Sequence, residues 1–306
     1  MEFQPDVHLG MTRAATPPLF NGGGCCKTVA DVRELARSLA GAVLLGSITK
    51  EPRLGNAGDV WWVGDVAALN SLGMPNGGAA YLKQHLREMV AIAHGAGKAL
   101  VVNVAGFQAQ EYAELTALAL EQGADAVEEN LGCPNIVEDG GRKPIFSFDL
   151  AAIDEIVSLI EREVGTSAPI WIKVSPHSDP DLLRRSAAVI ARREVVKAVT
   201  AINTFPNAYG LDDSGKAVIS CGLAGLSGRA LKHIGLGQVR QWRESLPDRI
   251  RLIAAGGISS GADIRDYSRA GAGAFQMTTE LLKRGHLDPQ PFERIALEFD
   301  ALAVLP

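Results

Sequence analysis

Short apolar runs alternate along the chain with segments whose apolar residues recur at a helical period. Seven runs rich in Val, Ile, Leu and Ala stand at residues 42–45, 99–104, 124–127, 169–174, 198–203, 250–255 and 272–277. Helical patterns precede most of them, at residues 81–94, 111–122, 150–164, 180–193, 237–245 and 262–270. This alternation predicts parallel strands joined by helical crossovers. The continuously apolar strands indicate a sheet that is buried on both faces.

One more strand, predicted at residues 18–20, brings the total to eight. Eight strand–helix units over ~250 residues are typical of a (β/α)8 TIM barrel. We therefore predict an α/β fold with one barrel domain over residues 1–306. The rival is a doubly wound open sheet, which usually carries G-x-G-x-x-G after its first strand, and the chain has no such motif there.

Two long polar stretches interrupt the alternation, at residues 49–78 and 135–149. Both are too rich in Gly, Pro and charged residues for core elements. Long loops inside a compact domain are usually functional. We predict that both loops lie at the C-terminal face of the barrel and form a lid over the active site.

Composition narrows the class of protein. The 306 residues are 47% hydrophobic and 21% charged, as in globular enzymes, and the net charge of −5 argues against a nucleic-acid binder. No N-terminal targeting pattern and no apolar run of ~18 residues occur, so we expect no membrane insertion. The four cysteines form no C-x-x-C, which excludes a cysteine-rich metal site in this chain and suggests a reducing, cytoplasmic location.

The most informative segment is E-N-L-G-C-P-N at residues 129–135, directly after a predicted strand. Asn130 and Asn135 offer donors and acceptors that suit a flat heterocycle with amide edges. Cys133 lies between them, and a thiol of suitable pKa can exchange a proton with carbon. A buried cysteine in an ordinary turn is the alternative interpretation.

Other polar residues also stand where apolar runs end, which is where a barrel of this type carries its chemistry. They include Ser47, Thr49, Asn103, Lys173, Asn203 and Thr204. Lys173 lies inside an apolar run and needs an anionic or polar partner. That partner is either a bound ligand or a neighbouring carboxylate, Glu128 or Glu129.

Two strand ends near the C-terminus suit a phosphate group. Gly256 and Gly257 follow one strand, and a helix is predicted to begin at Ser259 or Ser260 behind them. Thr278 and Thr279 follow the next strand. The loops after the last two strands of a barrel commonly bind phosphate, although a simple turn would explain the glycines equally well.

Nine short motifs occur in an order that resembles the dihydroorotate dehydrogenase family of FMN-dependent barrels. They are N-G-G-G at 21–24, S-I-T with R-L-G-N at 47–56, N-S-L-G-M-P-N at 70–76, N-L-G-C-P-N at 130–135, K-V-S-P at 173–176, N-T at 203–204, G-L-S-G at 225–228, A-G-G-I at 255–258 and Q-M-T-T at 276–279. The resemblance covers almost the whole chain.

The resemblance implies a role for each matching position. Cys133 would be the base that takes a proton from C5 of the substrate while hydride passes from C6 to FMN, and Lys173 would stabilise negative charge on the reduced flavin. Substrate contacts would come from Asn70, Leu72, Gly73, Met74, Asn130, Asn135, Asn203 and Thr204. FMN contacts would come from Gly23, Gly24, Gly46, Ser47, Asn103, Asn130, Lys173, Ile202, Gly225, Gly256, Gly257, Thr278 and Thr279.

The resemblance also implies a small-molecule substrate, dihydroorotate or a related cyclic amide, and a homodimer. Cysteine as the base is the pattern of the soluble class, since the membrane-associated class has serine. The electron acceptor would be fumarate or a partner subunit that carries an iron–sulfur cluster.

Three positions depart from the family pattern. Gly46 stands where the soluble class has a lysine near the flavin and the substrate carboxylate, and Lys50 could replace it only if the loop ran differently. Glu129 stands where an apolar residue is expected, and it is either structural or directed at Lys173. Thr278 replaces the usual glycine of the phosphate site.

Four hypotheses follow from these residues. The first is a soluble, FMN-dependent dihydroorotate dehydrogenase. The second is an FMN-dependent ene-reductase or dehydrogenase of another cyclic amide or enone, which the absence of the lysine at Gly46 supports. The third is a flavin-free, phosphate-binding barrel lyase or isomerase. The fourth is a catalytically silent flavin-binding protein, against which the joint presence of Cys133 and Lys173 argues.

Overall fold

The structure, a computed structural model, describes residues 17–138 and 141–303. The strands within these residues are β1 (Leu19–Asn21), β2 (Ala42–Ile48), β3 (Trp61–Val63), β4 (Ala68–Asn70), β5 (Ala99–Val104), β6 (Ala126–Asn130), β7 (Val137–Glu138), β8 (Gly141–Arg142), β9 (Ile170–Val174), β10 (Val196–Ala201), β11 (Phe205–Ala208), β12 (Ala224–Ser227), β13 (Arg251–Ala255) and β14 (Ala274–Met277). Residues 139 and 140 of the predicted loop 135–149 lie outside the described part.

The helices of the described part are α1 (Val29–Arg37), α2 (Gly78–Gly95), α3 (Ala109–Glu121), α4 (Leu150–Val164), α5 (Pro180–Ala191), α6 (Lys232–Ser245), α7 (Gly261–Ala270), α8 (Thr279–Leu282) and α9 (Gln290–Ala303). Side-chain caps fix several of their starts. The Thr28 hydroxyl and the Asp31 carboxylate form a capping box at α1, and Asp149 caps α4. Among the described helices, none combines the length and the apolar composition needed to cross a membrane.

Eight strands form a parallel sheet in the order β1-β14-β13-β10-β9-β6-β5-β2, with a helix between each consecutive pair along the chain. The sheet is nearly closed into a barrel, and the predicted (β/α)8 fold is confirmed. All eight predicted strands are present. The predicted helices are present too, with ends that shift by a few residues; α6, for example, begins at Lys232 rather than near Gly237.

Strands β1 and β2 close the barrel through the Asn21 side chain and through a backbone bond, in which the Gly41 N–H donates to the Leu19 carbonyl at 2.8 Å. The Asn21 amide nitrogen at the end of β1 donates to the Leu44 carbonyl of β2 at 2.6 Å, and the Leu44 N–H donates to the Asn21 Oδ1 at 3.0 Å. A carboxamide carries one donor and one acceptor side in the spacing of a peptide group, so it can substitute for a residue of a strand. Asn21 is fully buried, so both groups of Leu44 depend on it.

The barrel interior changes from apolar to polar along the strands. The lower layers hold two large rings, Phe20 and Trp171, whose centroids are 6.0 Å apart. Small side chains surround them at Ala42, Ala99, Ala126, Ala198 and Ala274. Because strand side chains alternate, the next inward positions along several strands are two residues further on, and they are polar: Asn103, Glu128, Lys173, Thr200 and Gln276. The apolar floor therefore supports a polar layer near the C-terminal face.

A second, antiparallel sheet lies at the C-terminal face, in the order β11-β12-β4-β3. It was not predicted, because β3 and β4 have only three residues each and lie within the Gly-rich loop 49–78. Residue pairs Trp61–Asn70 and Asn70–Gly225 fix its register. The sheet brings loop 49–78 and the segment after β10 together at one edge of the barrel mouth.

Replacement of Asn21 tests the closure of the barrel. Asn21→Leu leaves the buried N–H and C=O of Leu44 without partners, at about 1–3 kcal/mol each. We expect the free energy of unfolding, measured by urea titration, to fall by about 2–5 kcal/mol. Gln110→Leu, which removes an exposed amide from α3, is the control. Equal stability of the two variants would show that the Asn21 amide is not what closes the barrel.

Candidate functional site

One large cleft opens at the C-terminal face and encloses about 1110 Å³, part of it open to solvent. Most of the predicted site residues line it: Gly23, Gly24, Ser47, Asn70, Leu72, Gly73, Met74, Asn130, Cys133, Asn135, Lys173, Ile202, Asn203, Thr204, Gly256, Gly257, Thr278 and Thr279. Residues from eight separate segments therefore converge on a single space, as the barrel topology requires.

Three predicted residues lie behind the wall of the cleft instead. Gly46 contributes only backbone bonds, with its carbonyl accepting from Gly24 at 2.7 Å. The Asn103 amide donates to Glu128 at 2.7 Å beneath the floor. Gly225 leaves room for a neighbour, because a Cβ there would lie 2.1 Å from the Thr204 hydroxyl.

Four asparagines form two hydrogen-bonded pairs in the cleft. Asn135 Nδ2 donates to Asn70 Oδ1 at 2.8 Å, and Asn203 Nδ2 donates to Asn130 Oδ1 at 2.9 Å. Asn130 Nδ2 in turn donates to the Ser47 hydroxyl at 3.0 Å. These bonds fix which end of each amide faces the cleft.

Three buried polar atoms beside these pairs have no hydrogen-bond partner within the described residues. They are Asn135 Oδ1, Thr204 Oγ1 and Trp61 Nε1. Buried polar groups are normally paired, so an acceptor, a hydroxyl and a donor at one cleft indicate a ligand with several polar edges. Trp61 was missed by sequence reasoning, because its strand β3 was read as loop.

Cys133 lies in the loop after β6, three residues beyond the strand end, and is half-buried at the wall of the cleft. Burial raises the pKa of its thiol, while the Asn135 N–H and the positive charges of Lys143, Arg53 and Lys173 oppose that rise. Burial alone would disfavour the thiolate. The three cations lower the free-energy cost of forming it.

Arg53 and Lys143 both lie over the ring of Phe107, which packs in the same cluster as Cys133. The Arg53 guanidinium lies 4.9 Å from the centroid of Phe107, and the Lys143 ammonium lies 4.8 Å from it. The sequence placed both cations in the two long loops but gave no reason to bring them together, since their contact depends on how the loops fold.

The segment Leu72–Gly73–Met74 presents its backbone to the cleft. Met74 has φ +57°, a left-handed conformation that is costly for a residue with a long side chain. The Met74 carbonyl accepts from Asn76 Nδ2 at 2.9 Å, and the Gly73 carbonyl accepts from Arg53 Nε at 3.1 Å. Several bonds thus hold a strained turn beside the asparagines.

Lys173 stands on the floor of the cleft inside a buried polar network. Its ammonium donates to Gln276 Oε1 at 2.8 Å and lies 3.8 Å from Glu128 Oε1. Glu128 also accepts from Asn103, from Thr200 at 2.6 Å and from Gln276 at 2.7 Å. A buried ion pair is stable only when its remaining polar atoms are satisfied, and this network does so while leaving Lys173 at the cleft surface.

Glu129 faces the other way. As the neighbour of Glu128 in a strand it points out of the barrel, where Thr116 of α3 donates to its Oε1 at 2.8 Å. The alternative in which Glu129 faces Lys173 is therefore wrong, and the residue is structural. Burial raises the pKa of Glu129 well above its ordinary value, and its Oε2 has no partner among the described residues.

The far end of the cleft suits a phosphate group. Gly256 and Gly257 have φ +116° and +71°, and a Cβ at Gly257 would lie 2.7 Å from the Lys232 nitrogen. Helix α7 begins behind them with Ser260 as its N-cap, as predicted. The backbone N–H groups of Gly257 and Ile258 have no hydrogen-bond acceptor within the described part, so they are available to an anion.

The positions that depart from the family pattern are now located. A Cβ at Gly46, where φ is +114°, would lie 2.3 Å from the Asn103 carbonyl oxygen, so this backbone admits no side chain at that position. Lys50 does not replace the missing lysine, because its ammonium pairs with Glu114 at 2.8 Å outside the cleft. The Thr278 side chain lies beside Cys25, where it lowers the pKa of the thiol against the larger effect of burial.

A parallel barrel whose C-terminal cleft joins polar amides, a thiol and a buried lysine belongs to the barrel enzymes that act on small molecules. The family model described as "Dihydroorotate dehydrogenase" matches residues 12–301. The chain belongs to the dihydroorotate dehydrogenase family, whose members are oxidoreductases acting on CH–CH bonds.

Individual relatives agree with this assignment. The chain is 28% identical over 290 residues to the probable dihydroorotate dehydrogenase A (fumarate) of Enterococcus faecalis, covering 93% of this chain and 89% of the relative. It is 30% identical over 288 residues to the dihydroorotate dehydrogenase (fumarate) of Saccharomyces bayanus, covering 92% and 88%. The crystal structure of DHODH from Eimeria tenella in complex with ferulenol shares the fold, with a TM-score of 0.75, 20% identity and coverage of 93% and 81%.

The buried Glu129 carboxyl predicts a stability that depends on pH. Its raised pKa means that the folded chain keeps a proton which the unfolded chain releases above about pH 4.3. Stability is therefore lost as the pH rises, by about 1.4 kcal/mol per pH unit until the folded pKa is reached. Glu129→Gln removes this loss, so its stability relative to the wild type should be similar near pH 4 and increasingly greater towards pH 7.5.

Urea unfolding of both proteins at several pH values measures this difference. Glu121→Gln, which neutralises an exposed carboxylate at the end of helix α3, serves as the control and should follow the wild type at every pH. A constant difference between Glu129→Gln and the wild type from pH 4 to pH 7.5 would contradict the buried, protonated carboxyl.

Proposed function

We propose that this protein is an FMN-dependent oxidoreductase that oxidises dihydroorotate to orotate. The observation that carries the proposal is the position of the Cys133 thiol, between Asn130 and Asn135 and in the same cleft as Lys173. A proton acceptor, hydrogen-bonding amides and a cation at one surface are the groups that removal of a hydride and a proton from a cyclic amide requires.

The residues present fit FMN. The unpaired N–H groups of Gly257 and Ile258 suit its phosphate, and the cleft extends from there to the asparagine pairs. When bound, FMN supplies the hydride acceptor. Family membership supports the same cofactor.

The asparagines orient the substrate ring. Asn135 Oδ1 and Thr204 Oγ1 have unused hydrogen-bonding capacity, and a pyrimidine ring with two carbonyls and two N–H groups would satisfy both atoms. The strained Met74 turn adds backbone groups on one side. Together these contacts would hold the ring so that its C5 proton faces Cys133.

Cys133 would act as the base. Its thiolate accepts the C5 proton, and Lys143 and Arg53 stabilise the negative charge on sulfur before the transfer. Lys173 would stabilise negative charge at the floor of the cleft, since its ammonium keeps donor capacity beyond its bond to Gln276. The low local dielectric of a buried site strengthens both effects.

Fumarate is the electron acceptor that the relatives support, because those from Enterococcus faecalis and Saccharomyces bayanus carry "(fumarate)" in their names. A partner subunit with an iron–sulfur cluster is the alternative acceptor. The homodimer and the cytoplasmic location implied by the resemblance stay predictions.

A second candidate function is the redox chemistry of another cyclic amide or enone at the same site. The observation that favours it is the backbone at Gly46, which admits no side chain and therefore no lysine beside the substrate carboxylate. A substrate without a carboxylate would not need that cation.

Anaerobic mixing with dihydroorotate tests the proposal directly. The purified protein should be yellow, and excess L-dihydroorotate should bleach the absorbance of the oxidised flavin within seconds. No bleaching, with dithionite still able to reduce the flavin, would favour the second candidate. A colourless protein that binds no added FMN would contradict both and favour the flavin-free barrel lyase or isomerase.

Cys133→Ala tests the base. We expect flavin reduction by dihydroorotate to slow by roughly 10²–10⁴-fold, the usual contribution of a general base, while the bound flavin remains. In the wild type the rate should keep rising with pH above about 8.5, the ordinary pKa of a thiol, because burial raises the pKa of Cys133. Cys221→Ala, which removes an exposed thiol, is the control. Unchanged reduction in Cys133→Ala would exclude the thiol as the base.

A further inference from the structure

Lys27 is a positive charge at the cleft that the family resemblance does not explain. It follows Cys26 in the loop after β1 and lines the cleft together with Gly23 and Gly24. The side chain is partly buried at the cleft, and this burial lowers the pKa of its ammonium. No ion pair within the described residues involves it.

The nearest groups leave this charge without a full partner. Asp31 and Cys25 are the groups whose negative form would favour the Lys27 cation. The Asp31 carboxylate, however, accepts from the backbone N–H groups of Lys27 and Thr28 at 2.8 and 2.9 Å as part of the helix cap. The Cys25 thiol is neutral at ordinary pH, because burial raises its pKa to about 12. A desolvated cation without a dedicated anion favours binding an anion from outside.

The backbone places Lys27 next to Gly46. The Gly46 N–H donates to the Cys26 carbonyl at 2.9 Å, and the Gly24 N–H donates to the Gly46 carbonyl at 2.7 Å. Loop 24–27 therefore lies against the strand end where the soluble class has its lysine. Lys50 is held by Glu114 outside the cleft, and Lys173 is engaged by Gln276 and Glu128.

We propose that Lys27 binds the carboxylate of the substrate, supplying from the loop after β1 the charge that no side chain at Gly46 can supply. The proposal rests on the proposed function and specifies its substrate class: cyclic amides that carry a carboxylate, rather than neutral ones. The same cation would bind a carboxylate of fumarate, the proposed acceptor, since both ligands bring a negative charge into a cleft whose amide pairs are neutral.

Binding of two pyrimidines tests the proposal. Orotate carries the carboxylate and uracil lacks it, so their dissociation constants, measured by calorimetry on the flavin-loaded protein, isolate the contribution of that group. Lys27→Met keeps much of the side-chain length without the charge. We expect it to weaken orotate binding roughly 10–100-fold, as loss of a charge-assisted hydrogen bond does, and to leave uracil binding within about twofold.

Two variants complete the experiment. Lys27→Arg retains the charge and should recover most of the orotate affinity, and Lys50→Met should bind both pyrimidines as the wild type does. Equal effects of Lys27→Met on orotate and uracil would overturn the proposal, as would a wild type that binds uracil as tightly as orotate or binds neither. Flavin content in each variant shows whether the fold is intact.

The outcomes separate this proposal from the function on which it rests. Bleaching by dihydroorotate with no selective loss in Lys27→Met would leave the dehydrogenase standing and reject Lys27. Selective loss of orotate affinity without bleaching would leave Lys27 as the carboxylate site of an enzyme that acts on another acid.

Discussion

The site depends on one buried interaction, the contact of Lys173 with Glu128 at the top of the barrel interior. A lone ammonium or carboxylate in this position would be strongly destabilising, whereas the pair is tolerated because Gln276, Asn103 and Thr200 satisfy the remaining polar atoms. The barrel thereby holds a positive charge at the bottom of its cleft and keeps an apolar packing of Phe20 and Trp171 directly beneath it. Replacement of any of these five polar side chains by an apolar one would leave a buried polar atom of the network unpaired.

The residues that surround this floor of the cleft come from different parts of the fold. Asn130 and Lys173 stand at the ends of neighbouring barrel strands, where the register pairs them, and Asn203 follows β10 with its N–H donating to the Val174 carbonyl at 2.8 Å. Asn70 and Trp61 come from the small antiparallel sheet, and Cys133 and Asn135 come from the loop after β6. The Cys133 thiol thus lies where the barrel meets a loop, and Arg53 and Lys143, from the two long loops, act on its pKa from outside the barrel.

The repeating pattern of the chain was enough to predict the barrel, because each strand is a continuous apolar run and each helix has its own period. The inward position of Glu128 and the outward position of Glu129 follow from strand alternation once the register is known. The small antiparallel sheet of β11, β12, β4 and β3 could not be predicted in this way, because the three residues Trp61–Val63 show no periodicity that distinguishes a strand from a loop. The meeting of Arg53 with Lys143, and the approach of Lys27 to Gly46, depend on long-range loop packing that local patterns do not encode.

The closure of the barrel through Asn21 has a consequence for the order in which the molecule assembles. Strand β1 leaves the ribosome well before its ladder partner β14, with which it pairs Leu19 opposite Phe275. More than 250 residues separate the two, so β1 cannot complete its pairing until β14 has been synthesised. Until then the edge of β1 that pairs with β14 stays open. The three-residue length of β1 limits that hazard, because a strand so short offers little template for pairing with other chains.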